Sequence, residues 1–126
     1  RRVAVMEDNR HIEPLSVLPA MASVAGEMLH EVLNAFAARD AEAATLVCTR
    51  DRAVDDFYNS IFRALVTFMM ENPKSISQAA HLLFIAKNLE RIGDQATNIA
   101  EMVYYAATGD YMPERERRET IVGMQG

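Results

Sequence analysis

Apolar residues recur every three or four positions along three long segments of this chain, and only two short breaks separate the segments. That spacing belongs to helices that bury one face, and it constrains the fold more than any other feature. The first segment runs from about Leu15 to Arg39, with Leu18, Met21, Ala22, Ala25, Met28, Leu29, Val32, Leu33 and Phe36 on its stripe. Pro14 marks its boundary. Ser16 is expected to cap it, which puts Pro19 in the first turn, where a missing N–H costs little. Asp40 suits the N-cap of a second helix from Ala41 to about Met70. Its stripe is Val47, Val54, Tyr58, Ile61, Leu65 and Phe68, thickened by Phe57, Phe62 and Met69. The join at Arg39-Asp40 is so short that the first two helices should be antiparallel neighbours. Glu71-Asn72-Pro73-Lys74 breaks the pattern, and Ser75 with Gln78 has the spacing of a capping box. The third helix is predicted from Ile76 to about Thr108, over Leu82, Ile85, Ala86, Leu89, Ile92, Ala96, Ile99, Ala100 and Val103. Gly109 is its expected stop, with Pro113 beyond. Helices of this size are about 37 to 50 Å long. The predicted fold is therefore all-α, an antiparallel up-down-up three-helix bundle.

Composition supports this reading. With 126 residues, 50% hydrophobic and 25% charged, the chain can bury a core without metal or disulfide staples. It has no Trp and only five Gly, too few turn residues and aromatics for a strand-rich fold. The net charge of -5 argues against a general nucleic-acid binder. No apolar run approaches the roughly 20 residues that cross a bilayer, and the first residues lack the apolar stretch of a signal peptide. A single cysteine, Cys48, forms no internal disulfide, which makes a reducing cytoplasm the simplest home. The expected organisation is a linker over 1–14, the bundle over 15–109 and a mobile tail over 110–126.

The acids are where chemistry is expected. Projected at about 100° per residue, Asp51 falls inside the apolar arc, between Val47 and Val54, and Asp55 sits on its shoulder. On the third helix Glu90, Asp94 and Glu101 form one stripe, with Asn98 at its margin. Asp51-x-x-x-Asp55 and Glu90-x-x-x-Asp94 share one spacing. Two like charges an i,i+4 step apart repel by a few tenths of a kcal/mol, and setting one in an apolar seam costs more. A hard cation reverses that balance, because Mg²⁺, Mn²⁺, Ca²⁺ and iron take carboxylate oxygens, and paired acids on facing helices are a known route to metal centres. The competing reading is a set of solvated acids with Arg52, Lys87 and Arg91 as surface partners. His30 could add a nitrogen ligand but reads as a surface or interface histidine, and Cys48 and the eight methionines read as packing. No Gly-rich phosphate loop, G-x-S-x-G, H-E-x-x-H or C-x-x-C occurs.

The stretch Asn88-Leu89-Glu90-Arg91-Ile92-Gly93-Asp94-Gln95-Ala96-Thr97-Asn98-Ile99-Ala100-Glu101 closely resembles the signature helix of the PhoU family of phosphate-uptake regulators. Met28 to Phe36, Asp51 to Asp55 and Phe68 to Glu71 are similar to it as well, so the resemblance covers about residues 14 to 112. It implies an all-helical protein of two repeated three-helix bundles, of which this chain matches the second. Arg1 to Glu13 would then be the connector from the first. It also implies metal bound at Asp51, Asp55, Glu90 and Asp94, with Asn98 and Glu101 as adjacent candidates. Iron is the metal it implies first, with zinc, manganese and magnesium as alternatives. The implied role is not enzymatic. It is repression of phosphate uptake and of the phosphate regulon, through the ATPase subunit of the phosphate ABC transporter and the phosphate-sensing histidine kinase. The implied assembly is a homodimer or higher oligomer, cytoplasmic and peripheral to the inner membrane through its partners.

Three other classes compete with this reading. A purely structural oligomerisation module would carry no metal. A carboxylate-bridged metalloenzyme needs Glu-x-x-His motifs on two helices, and the chain has no such pair. A histidine phosphotransfer domain would need His30 or His81 as its acceptor.

Overall fold

The computed structural model describes residues 14–113, with helix α1 over Pro14–Ala38, α2 over Ala41–Thr49, α3 over Asp51–Glu71 and α4 over Ile76–Thr108. A short 3₁₀ turn, Pro73–Ser75, joins α3 to α4. Among the described residues there is no strand, and the protein is all-α. The 1–13 and 114–126 segments, where most of the expected linker and tail fall, lie outside the described residues.

The helix ends follow from local chemistry. Pro14 is the first described residue of α1, a position where proline's fixed φ suits a helix start. Ser16 is therefore already inside the helix rather than capping it, and Pro19 lies within α1. At the other end Arg39 takes φ 53°. Its N–H bonds the Phe36 carbonyl at 3.3 Å and the Asp40 N–H bonds the Ala35 carbonyl at 3.0 Å. This is the paired closure that usually places glycine in the left-handed position. Asp40 then caps α2 as the sequence predicts, its side chain accepting from the Ala43 N–H at 3.0 Å.

The predicted unbroken helix from Ala41 to Met70 is corrected. It stops at Thr49 and restarts at Asp51. The Arg50 N–H bonds the Val47 carbonyl, three residues back, at 3.1 Å. The Leu46 carbonyl, which an unbroken helix would offer to Arg50, accepts instead from the Thr49 hydroxyl at 2.6 Å. A threonine side chain has competed with the ladder, and the turn tightens.

The Ser75–Gln78 capping box is also corrected. Ser75 is the last residue of the 3₁₀ turn, and its N–H bonds the Asn72 carbonyl at 2.8 Å. The run to Thr108 and the stop at Gly109 do match: Gly109 sits at φ 82°, and its N–H closes on the Tyr105 carbonyl at 2.8 Å.

The helices contribute to two compact units. One takes the chain up to Gly26 together with Arg52–Ile92. It buries Met21 and Ala25 of α1, Val54, Ile61 and Leu65 of α3, and Ala79 and Ala86 of α4. Here the Tyr58 and Phe62 rings stack at 6.2 Å, and the Lys87 ammonium lies 5.2 Å from the Tyr58 centroid. Tyr58 and Lys87 stand equally far along the chain from the Asn72–Pro73 turn, so α3 and α4 run antiparallel. Lys87 Nζ also donates to Glu90 Oε1 at 3.0 Å. That hydrogen bond and the Glu90 charge hold the Lys87 pKa above its usual value.

The other unit takes Glu27–Asp51 and the chain from Gly93 onward. It buries Met28, Val32 and Ala35 of α1, Ala44 and Val47 of α2, and Ala96, Ala100 and Val103 of α4. Met112 is buried here too, and Tyr111 stacks on Tyr105 at 5.5 Å, so the start of the expected mobile tail is packed. Arg50 reaches across to Glu27 and to Glu31, the latter at 3.1 Å, which ties the end of α2 to the middle of α1.

In both units the buried stripe is narrower than expected. Positions 21, 25, 28, 32 and 35 of α1 face inward, while Leu29, Leu33 and Phe36, each one residue further on, are exposed. Phe62, Ile85 and Ile92 are exposed as well.

Two substitutions test this account of the helix ends and interior. Asp40→Ala should lower unfolding stability by about 1 kcal/mol through loss of the cap. Gly26→Ala should raise it by about 0.5–1 kcal/mol, because a Cβ there meets nothing within 4 Å and removes a glycine from a helix interior. Urea unfolding of the two variants beside the parent measures both changes.

Candidate metal centre

Because α2 stops at Arg50, Asp51 becomes the first residue of α3, where a carboxylate is favoured by the helix dipole. It lies on the same inward line as fully buried Val54 and is itself only 8% exposed. Asp55 follows one turn on and is half-buried. Asp94 projects from α4 and is exposed. One carboxylate oxygen from each of Asp51, Asp55 and Asp94 lies within 4.8 Å of the other two.

Like charges this close repel. At an effective dielectric near 20, a pair of unit charges about 5 Å apart costs about 3 kcal/mol. A cation reverses the sign. Metal–oxygen bonds of about 2.0–2.6 Å put two ligands on opposite sides of an ion about 4–5 Å apart, which matches the spacing of the three oxygens. The donor set is all oxygen, and it is graded from a buried carboxylate to an exposed one, which leaves a solvent-facing side for entry. The residues present thus fit a hard cation.

The structure brings together Asp51, Asp55 and Asp94 but not every residue the sequence suggests. Glu90 is half-buried, and its Oε1 accepts from Lys87. Asn98 and Glu101 line an open cavity of about 350 Å³ with Met102, Tyr105 and Tyr111. Glu101 is 9% exposed, much deeper than a stripe of surface acids would place it. His30 Nε2 lies 3.3 Å from the Asn34 amide nitrogen, and His81 Nδ1 lies 2.8 Å from the Ser77 carbonyl. Glu27 and His30 do have the Glu-x-x-His spacing of di-iron bundles, a match the sequence reading passed over. Glu27, however, pairs with Arg50, and neither residue joins the three-acid group.

One residue was missed outright. Thr97 of α4 is 4% exposed, and among the described residues its hydroxyl has no hydrogen-bond partner. The signal that could have found it is its position, three residues beyond Asp94 and so on the same helix face. Cys48 is half-buried, with Sγ 4.0 Å from the Thr97 carbonyl oxygen.

None of the described helices is long and apolar enough to cross a membrane. The PhoU domain model matches residues 18–103. A phosphate-specific transport system accessory protein PhoU homolog of Zymomonas mobilis is 52% identical over 126 residues, covering 100% of this chain and 53% of that protein. A second homolog of that description, from Thermotoga maritima, is 39% identical over 110 residues, covering 87% of this chain and 47% of its own length. The crystal structure of PhoU from Pseudomonas aeruginosa aligns with a TM-score of 0.71 at 42% identity, over 73% of this chain and 44% of that one. The chain therefore spans about half the length of the curated relatives it matches. On residues 18–103 and on relatives that share about half its positions, this chain belongs to the PhoU domain family.

Proposed function

We propose that this chain is a metal-binding regulatory adaptor that restrains phosphate uptake and phosphate-regulon signalling. The observation that carries the metal reading is the trio Asp51, Asp55 and Asp94, three carboxylates from two helices within 4.8 Å. The regulatory reading rests on relatives described as accessory proteins of phosphate-specific transport systems. A bound cation supplies charge neutralisation and a bridge between helices. Asp51 and Asp55 hold it from α3 and Asp94 holds it from α4. Iron is the first choice, with manganese, zinc and magnesium as alternatives that an all-oxygen donor set accepts to differing degrees. Glu90, Asn98 and Glu101 then act as outer residues that orient the first three or take a second ion.

Docking is the function that suits such a site. The acids offer no nucleophile with an adjoining base, so we read the protein as an adaptor rather than an enzyme. Its proposed partners are the ATPase subunit of the phosphate transporter and the phosphate-sensing kinase, and its proposed place is the cytoplasmic face of the inner membrane. Exposed Leu33, Phe36 and Leu46, at 53%, 66% and 60%, favour self-association into a dimer or higher oligomer.

The test is cation binding by the purified chain. Saturating Fe²⁺ under anaerobic conditions, or Mn²⁺, should raise the melting temperature. At one hundred times the dissociation constant the added stability is about 2.7 kcal/mol. Asp51→Asn combined with Asp94→Asn should abolish that rise. Retention of the parent's metal content by the double variant would sink the site. For the adaptor role, pull-downs against the ATPase subunit and the kinase should recover both with the full-length protein. Recovery of neither would leave the chain a structural module.

In separate measurements, Leu33→Glu with Phe36→Glu should shift the chain to a smaller species in light scattering. An unchanged mass would remove this face as the self-association surface.

A further inference from the structure

A threonine within a helix can give its hydroxyl to the carbonyl four residues back or turn it to solvent. Among the described residues Thr45 bonds the Ala41 carbonyl at 3.1 Å and Thr108 the Tyr104 carbonyl at 2.9 Å, while Thr49 bonds the Leu46 carbonyl, three residues back. Thr97 does none of these. Its hydroxyl is buried, the residue is 4% exposed, and the oxygen has no hydrogen-bond partner among the described residues. An unsatisfied buried hydroxyl is a standing cost to the fold, so it calls for a partner that a cation site can supply.

Register locates that partner. Thr97 follows Asp94 by three residues on α4, so the two share a face. Its backbone carbonyl lies 4.0 Å from Cys48 Sγ, and Cys48 precedes Asp51 by three residues. Thr97 and Cys48 stand equally far from the Asn72–Pro73 turn, as do Asp94 and Asp51. The threonine therefore lies level with Cys48, one turn from the level of Asp94 and Asp51.

We infer that Thr97 is a positioning residue of this site: when the cation is bound, its hydroxyl donates its one hydrogen bond to a carboxylate oxygen that holds the ion. This rests on the proposal that Asp51, Asp55 and Asp94 hold a cation. The hydroxyl supplies a neutral donor from a buried position, so it orients a ligand oxygen without adding charge. Outer groups of this kind are typically worth 10- to 100-fold in metal affinity.

The test is calorimetric titration of the full chain with Mn²⁺, with the melting temperature of the metal-free protein as a second readout. Thr97→Val, which keeps the shape and removes the hydroxyl, should weaken Mn²⁺ binding at least about tenfold while the metal-free melting temperature holds or rises. Thr97→Ser should keep the parent's affinity. Thr97→Ala should weaken Mn²⁺ binding as Thr97→Val does, which covers the case in which valine packs badly. Parent-like Mn²⁺ affinity in both Thr97→Val and Thr97→Ala overturns the inference. If Asp51→Asn with Asp94→Asn still loses Mn²⁺ in that case, the cation site itself stands. A lower metal-free melting temperature with unchanged affinity would mark Thr97 as packing only. A parent chain that binds neither Mn²⁺ nor Fe²⁺ removes the site and the inference together.

Discussion

Arg50 is where one helix stops and the next begins, and the arrangement around the acids depends on it. Its N–H tightens the turn onto the Val47 carbonyl, and its guanidinium pairs with Glu27 and Glu31 on adjacent turns of α1. The pairing is half-exposed, so its share in stability is modest. Its geometric effect is larger. By ending α2 there, the chain makes Asp51 a helix-start residue, and the α3 dipole offsets part of the cost of burying a carboxylate.

Small side chains do the complementary work on α4. Ala96 and Ala100 are fully buried, and Gly93 is buried between Ile92 and Asp94. A narrow line of small residues lets neighbouring backbone come close, which is how the Cys48 thiol reaches the Thr97 carbonyl. It also brings short aspartates, rather than longer glutamates, within reach of one another. Asp51, Asp55 and Asp94 meet, while Glu90, with its longer side chain and Lys87 beside it, is drawn into a surface pair.

Much of this was legible in the sequence, and what was not has a common cause. Periodicity placed α4 from Ile76 to Thr108, and residue chemistry placed the cap at Asp40 and the stop at Gly109. Projection put Asp51 inside the apolar arc and Asp55 on its shoulder, where both are found. The break at Arg50 was invisible, because no glycine or proline marks it. It arises from a hydroxyl competing for one carbonyl, and the residues around it have ordinary helix preferences. The width of the core was overread for a related reason. Leu29, Leu33 and Phe36 satisfy the spacing of a stripe, but periodicity does not say which of two adjacent lines faces inward. Thr97 escaped notice because its hydroxyl is remarkable only by what it fails to bond.

The acidic trio and the Lys87–Glu90 pair respond in opposite ways to dissolved salt. Screening with a Debye length near 8–10 Å weakens both like-charge repulsion and opposite-charge attraction. For the metal-free protein, added salt eases the crowding of Asp51, Asp55 and Asp94 and loosens Lys87 from Glu90. The first effect involves three charges and a partly buried centre, and the second a single surface pair worth little by itself. Ionic strength therefore eases the mutual repulsion of the three acids in the metal-free protein without bridging them as an ion would. In the same medium, a real cation meets a screened and less attractive site.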